Sequence, residues 1–94
     1  MKTGIELIAE ERQRQIDQEG YSPEHDDGYT NDDLRWAAGC YLLDGHLFID
    51  DIPASYRFWP WSRETWKPGD EVRNLVKAGA LIAAEIDRLQ RGAK

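Results

Sequence analysis

The strongest constraint on the fold is an apolar repeat in the last third of the chain. Apolar or small residues recur every three or four positions, which is the spacing of one face of an α-helix. The repeat consists of Val72, Leu75, Gly79, Ile82, Ile86 and Leu89. Pro68 and Gly69 precede it and Gly92 follows it, as is typical of helix boundaries. The pattern predicts a long helix from about residue 70 to residue 91.

The same segment carries more apolar surface than one helix face can hold. Val76, Leu81 and a set of small residues widen the apolar surface, the small residues being Ala78, Gly79, Ala80, Ala83 and Ala84. Small side chains let helices approach closely, either within one chain or between two copies. Ordinary intramolecular packing stays open as the alternative, but we expect the small-residue face to assemble the chain into a symmetric oligomer.

Two further helices are predicted in the first half of the chain. Ile5, Ile8 and Ile16 recur at helical spacing with Arg12 between them, and Gly20 supplies a left-handed end to a helix over residues 3–19. A second helix begins near residue 31, after a capping arrangement that starts at Thr30, and is apolar on nearly every side.

The segments between these helices are predicted to be loops. Residues 20–30 are mostly polar, with Ser22 and Pro23 suited to the start of a single helical turn. Residues 46–67 show little alternation and form an ordered aromatic loop, with a short extended piece as an alternative. The chain of 94 residues is short enough for one core. We therefore expect an all-α, three-helix fold in which residues 1–94 form a single domain.

Charge and cysteine content exclude several classes of protein. The net charge of −6 argues against binding to duplex nucleic acid, although residues 1–54 carry −9 and residues 55–94 carry +3. Cys40 is the only cysteine, so an internal disulfide or a multi-thiolate zinc site cannot form. The longest apolar run is too short to span a bilayer and no leader peptide is recognisable. We expect a cytoplasmic protein that needs no cofactor and does not bind membranes.

The most informative stretch interleaves aromatic rings with cations. Trp59, Trp61 and Trp66 alternate with Arg63 and Lys67 within residues 56–68. Rings stack on nucleobases and cations neutralise phosphates, so this pattern is typical of a nucleotide-binding platform. An aromatic lid that closes a helical core explains the same residues, and the two interpretations are compatible.

Three more cations are candidates for the same site. Arg73 and Lys77 lie four residues apart near the start of the long helix, where the helix dipole also favours an anion. Lys77 is flanked by apolar residues and could instead extend its ammonium group into solvent. Arg12 lies on the apolar stripe of the first helix, where a glutamate partner is the ordinary explanation.

Several sequence blocks together resemble a family of small uncharacterised phage and prophage proteins. The blocks are AEERQRQI (9–16), EGYSPEHDD (19–27), AAGCY (37–41), WPW (59–61), WKP (66–68) and LVKAGALIAAEIDRL (75–89). The resemblance covers most of the chain but implies no activity for particular residues. By analogy with small phage proteins that sequester nucleotide messengers of bacterial immunity, it favours a counter-defence sponge that binds a nucleotide-like anion without catalysis.

Two other functions remain as alternatives. MazG-like pyrophosphohydrolases hold magnesium with paired E-x-x-E and E-x-x-D turns, whereas here only Glu24 and Asp27 have the E-x-x-D spacing. A divergent magnesium-dependent enzyme would draw its ligands from Glu10, Glu11, Glu24, Asp26 and Asp27. A third possibility is an inhibitor that presents the aromatic loop to a host enzyme, since exposed rings and arginines form interface hot spots.

Overall fold

Three long helices form the framework, as the sequence predicts. The computed structural model describes residues 1–28 and 31–92. Its elements, in chain order, are α1 (Gly4–Gln18), α2 (Pro23–Asp26), α3 (Asp33–Leu42), β1 (Phe48–Ile49), β2 (Ile52–Pro53), α4 (Ser55–Phe58), a short 3-10 helix (Arg63–Thr65) and α5 (Glu71–Gly92). The prediction of a mainly helical protein is confirmed, and the boundaries of α1 and α5 differ from the predicted ones by only a residue or so.

The ends of α1 and α2 follow local sequence signals. The Thr3 hydroxyl accepts a hydrogen bond from the Glu6 backbone N–H, and the Glu6 carboxylate accepts one from the Thr3 N–H, forming a capping box. Gly20 has a φ of 76°, the left-handed conformation that glycine adopts without strain. Ser22 then caps the single turn of α2, with Pro23 at its first position.

The start of α3 differs from the predicted capping arrangement. The residue at the cap is Asp32, which has a φ of 63° and no side-chain capping hydrogen bond. Thr30, which we expected to begin the cap, lies outside the described residues. After α3, Gly45 turns the chain with a φ of 80°.

The predicted loop over residues 46–67 contains regular structure, which corrects the strictly all-α, three-helix prediction. Strands β1 and β2 form a two-stranded antiparallel hairpin in which Phe48 faces Pro53 and Ile49 faces Ile52. Asp50 and Asp51 both have positive φ and make the turn. The single turn α4 and the 3-10 helix follow. The sequence hides this hairpin because its turn lacks the usual Asn-Gly or Asp-Gly pair and each strand is only two residues long.

Helix α5 packs against both α3 and α1 and shares the core with α3. Ala78, Ala80 and Ala84 are at most 1% exposed, and Leu81 packs beside Leu34 of α3. The small-residue face is therefore largely used inside the protomer, and for these three residues the intramolecular alternative replaces the expected subunit interface. Small side chains are needed there because two helices approach α5 from different sides.

Crossing a lipid bilayer requires a helix that is both long and apolar. Within residues 1–28 and 31–92, no helix satisfies both conditions.

Candidate functional site

The aromatic segment folds back over the helices and forms a connected cluster of rings. Trp59 is only 9% exposed and meets the edges or faces of three other rings, at centroid distances of 5.4 Å to Tyr41, 5.3 Å to Trp61 and 4.8 Å to Trp66. Tyr21, from the turn after α1, lies 5.5 Å from Trp61. The cluster is the lid over the core that we considered for these residues.

Hydrogen bonds fix this segment to the helical framework. The Trp59 indole N–H donates to the Ser62 carbonyl at 3.2 Å and to the Thr65 hydroxyl at 3.1 Å. The Lys67 backbone N–H donates to the Tyr41 hydroxyl of α3 at 3.3 Å. The indole is therefore partnered, and the main chain at Lys67 is placed over α3.

A narrow cleft opens where the aromatic segment meets α1 and α5, and we call it the α1–α5 cleft. It contains four of the eight candidate ligand residues, namely Trp59, Trp61, Lys67 and Lys77. Its other lining residues are Glu11, Arg14, Gln15, Glu19, Tyr21, Tyr41, Thr65 and Leu81. The cavity volume is about 20 Å³, which is room for about one water molecule. A larger ligand enters only if side chains at the mouth move aside.

Lys77 lies half-buried in the cleft, against the Tyr41 ring. Its ammonium group lies 5.3 Å from the centroid of the Tyr41 ring and donates to the Lys67 carbonyl. Burial lowers the pKa of Lys77, and the neighbouring charge of Arg73 lowers it further. An anion placed beside this ammonium group would stabilise its protonated form.

Two buried polar side chains of α1 form the wall of the cleft. Glu11 accepts hydrogen bonds from Arg14 at 2.8 Å, from Gln15 at 3.2 Å and from Arg73. Burial by itself would raise the pKa of Glu11, but the hydrogen bond from Arg14 and the charges of Arg73 and Arg14 outweigh it, so the pKa is lowered. The amide of Gln15 points its nitrogen at Glu11, and its Oε1 has no hydrogen-bond partner among the described residues.

The other four candidate residues are placed elsewhere. Arg12 donates to the Tyr21 carbonyl and to the Asp26 carboxylate, each at 2.9 Å. Asp26 is fully buried, and burial raises its pKa although the charge of Arg12 opposes the shift. Arg12 therefore has a carboxylate partner, but it is Asp26 rather than the glutamate that we expect from the sequence.

Arg63, Trp66 and Arg73 also lie outside the residues that line the cleft. Arg63 donates to the Ser55 carbonyl at 2.9 Å and lies 4.7 Å from the centroid of the Tyr56 ring. Trp66 stacks on Tyr41 at 4.6 Å, behind the cleft. Arg73 reaches the site only indirectly, through its ion pair with Glu11.

Four of the five carboxylates of the enzyme alternative are held by a cation. The pairs are Glu10 with Lys2, Glu11 with Arg14 and Arg73, Asp26 with Arg12, and Asp27 with Arg91. Across residues 1–28 and 31–92, His, Cys, Asp and Glu side chains form no group of three or more that could hold a metal ion. Magnesium binding would require these ion pairs to separate.

Comparison with known proteins gives no relative. A scan of family models, a search of curated proteins and a search of solved structures each found no match. The case for a function therefore depends on the geometry of the α1–α5 cleft.

Sequence reasoning missed the contribution of α1 to this cleft. We took Ile5, Ile8 and Ile16 as its inward stripe, yet Ile5 is 82% exposed while Glu11 and Gln15 are buried. A charged residue on the inward face gives no hydrophobic periodicity. The available signal was the four-residue spacing of Glu11 and Gln15, one turn apart on one face.

Proposed function

We propose that the protein binds and sequesters a small nucleotide-like anion at the α1–α5 cleft, without turning it over. The aromatic and basic segment favours such a ligand, and we keep as ligand residues only those that line the same cleft. The carrying observation is that Lys67 and Lys77 line the same narrow cleft as the rings of Tyr21 and Trp61. In a cell infected by a phage, such a protein would act as a counter-defence sponge for an immune messenger.

The charges of the cleft support an anionic ligand. Arg14, Lys67 and Lys77 supply three positive charges against the two negative charges of Glu11 and Glu19, so the cleft is net positive in a protein of net charge −6. Arg14 is already committed to Glu11 and Glu19, and Lys67 lies 3.6 Å from Glu19. Lys77 forms no ion pair with a carboxylate within residues 1–28 and 31–92. Its charge is therefore available, which makes it the best anchor for a phosphate.

The uncharged part of the ligand is suggested by Gln15. Its Oε1 is a buried hydrogen-bond acceptor at the wall of the cleft, and its side chain is held by the bond to Glu11. An acceptor left unpaired in a buried position costs about 1–3 kcal/mol. A ligand that carries an N–H or O–H donor together with a phosphate, as nucleotides do, would satisfy this acceptor and Lys77 together.

Binding needs the cleft to open, because its present volume admits about one water molecule. Trp61 and Lys67 belong to the connecting segment between α4 and α5 rather than to a long helix. We expect this segment to move outward when ligand enters, with Trp61 stacking on the ligand. Tryptophan fluorescence would then change on binding.

The test is calorimetric titration of cyclic dinucleotides and ADP-ribose isomers into the wild-type protein and into Lys77→Met. Methionine keeps the apolar stem of the side chain and removes the charge. Loss of one charge-assisted hydrogen bond is expected to weaken binding about tenfold or more. Lys2→Met is the matched control, because Lys2 pairs with Glu10 at an exposed site before the start of α1 and does not line the cleft. Absence of heat from every nucleotide, or equal binding by Lys77→Met, would refute the proposal.

The same samples separate sequestration from catalysis. Ligand recovered unchanged after heat denaturation of the complex supports sequestration. Magnesium-dependent release of pyrophosphate that is lost in Asp27→Ala would establish the pyrophosphohydrolase alternative instead.

The inhibitor alternative is favoured by a different surface from the one expected. The tryptophan segment faces inward, but Trp36, Phe48, Ile52 and Tyr56 are about half exposed or more around the hairpin and α4. Exposed aromatic residues of this kind form interface hot spots. A host protein that co-purifies stoichiometrically with the wild-type chain and is lost with Phe48→Asp would support this function.

A further inference from the structure

The long helix α5 has a second apolar face that the rest of residues 1–28 and 31–92 leaves about half exposed. Leu75, Ile82, Ile86 and Leu89 are each between 45% and 49% exposed, while the core of the protein uses other faces of the same helix. Removing branched side chains of this size from water lowers the free energy. Four of them aligned on one helix make a continuous surface rather than scattered exposure.

This face borders a groove between α3 and α5. Ala38 and Gly39 of α3 contribute no bulk to the lining, and Leu42, Ile82, Ile86 and Leu89 supply the large side chains. The groove has a volume of about 320 Å³, far more than the α1–α5 cleft. A groove beside a ridge of large side chains can receive the ridge of another helix.

The spacing of the ridge indicates what kind of surface fits it. Residues 75, 82, 86 and 89 are separated by seven, four and three positions, the a and d spacing of a heptad repeat. Such a stripe packs best against a helix with the same spacing. A second copy of the chain carries both the ridge and the groove, so a two-fold contact can use each of them twice.

Area and charge also favour a second copy. The chain exposes 6137 Å², against roughly 5,500 Å² expected for a monomeric protein of this mass. The excess of about 600 Å², taken over the whole chain, is of the same order as the roughly 800 Å² that each partner buries in a standard interface. Two copies of net charge −6 repel each other over most of their surfaces, but the charged residues that line this groove are one arginine, Arg35, and one glutamate, Glu85, 3.8 Å apart.

From these observations we infer that the α3–α5 groove is the interface of a two-fold homodimer. An oligomer is also expected from the sequence, but the proposed interface uses the large branched residues of α5 instead of its small residues. The α1–α5 cleft lies outside this groove, because the two share no lining residue. Dimerisation and ligand binding can therefore be tested separately.

The experiment is sedimentation velocity over a range of concentrations for the wild-type chain and two aspartate variants. Ile86→Asp places a charge in the interface and should raise the dimer dissociation constant by about a hundredfold or more. Ile52→Asp is the matched control, because Ile52 is 53% exposed in the hairpin against 49% for Ile86. The control should sediment as the wild type does, and circular dichroism should show unchanged helix content in both.

Three outcomes would overturn the inference. These are a wild-type chain that stays monomeric at the highest concentration, a dimer that Ile86→Asp leaves intact, and a dimer that only Ile52→Asp dissociates. If Ile86→Asp loses helix content, Leu89→Asp repeats the test at an exposed position nearer the helix end. Lys77→Met should dimerise as the wild-type chain does, because Lys77 does not line the groove. Loss of ligand binding in this variant without loss of the dimer would show that the two proposals fail or succeed independently.

Discussion

Substitution of Gly79 by alanine tests how closely α1 approaches α5. A Cβ atom at this position would lie 2.6 Å from Cδ1 and 2.9 Å from Cγ1 of Ile8. Neither distance is tolerated by real atoms, so the Ile8 side chain must change rotamer or α1 must shift. The structure thus predicts that an ordinarily stabilising replacement becomes destabilising here.

Two opposing effects set the magnitude. Alanine in the middle of a helix is favoured over glycine by about 1 kcal/mol. Overpacking a tight contact costs about 1–3 kcal/mol. Both close atoms belong to the outer arm of the Ile8 side chain, which can rotate at a cost, so we place the packing cost near the middle of that range and expect Gly79→Ala to lower the free energy of unfolding by up to about 1 kcal/mol.

The assay is urea denaturation followed by tryptophan fluorescence, repeated at several protein concentrations to separate folding from association. In an Ile8→Ala background the clash is gone, so Gly79→Ala should instead stabilise by about 1 kcal/mol. Gly39→Ala is the control within α3, where a Cβ meets nothing within 4 Å. Because Gly39 lines the α3–α5 groove, the control is compared at protein concentrations low enough to dissociate the proposed dimer, where it should also stabilise. The reasoning is refuted if Gly79→Ala stabilises the wild-type chain as much as Gly39→Ala does.

Three further predictions concern the hairpin, the buried carboxylate and the cysteine. Asp51→Gly should raise the free energy of unfolding by about 0.5–1 kcal/mol, because the φ of 65° strains aspartate but not glycine, and Asp51→Ala should not stabilise; thermal melting compares them. Glu11→Gln should destabilise by about 2–3 kcal/mol at neutral pH, because Arg14 and Arg73, which are themselves partly exposed, lose the charge of their buried partner. The pKa of Glu11 is lowered on folding, so its stabilisation is complete above the ordinary value of 4.5 and disappears as the pH falls through the folded value; denaturation from acid to neutral pH should show the deficit of the variant shrinking in acid. Cys40 is buried and burial raises its pKa to about 11, so a thiol reagent at neutral pH should label it only at the rate of unfolding, and rapid labelling of the native protein would contradict this.

Local sequence signals were sufficient at the end of α1 and the start of α2. The left-handed turn at Gly20 and the proline start of α2 both depend on neighbours along the chain. The hairpin of residues 48–53 could not be predicted in the same way. Its strands are too short for a repeat to show, and two left-handed aspartates are an unusual turn.

The candidate site was predicted in part for a similar reason. Composition identified a segment rich in rings and cations, but it could not tell which cations had partners. Arg12 and Arg73 are held by Asp26 and Glu11, residues 14 and 62 positions away along the chain. Ion pairs over such separations form only when the helices pack, so they leave no trace in local spacing.

The sequence by itself determined the three long helices and the ends of α1 and α5, because periodicity and the glycines and prolines at helix boundaries act through near neighbours. Tertiary structure decided which face of α5 is buried, since its small and its branched residues share the same helical period. It also decided that Lys77, among the lysines of residues 1–28 and 31–92, pairs with no carboxylate. Both outcomes depend on where α1 and α3 meet α5, and that placement comes from contacts between residues distant in the chain.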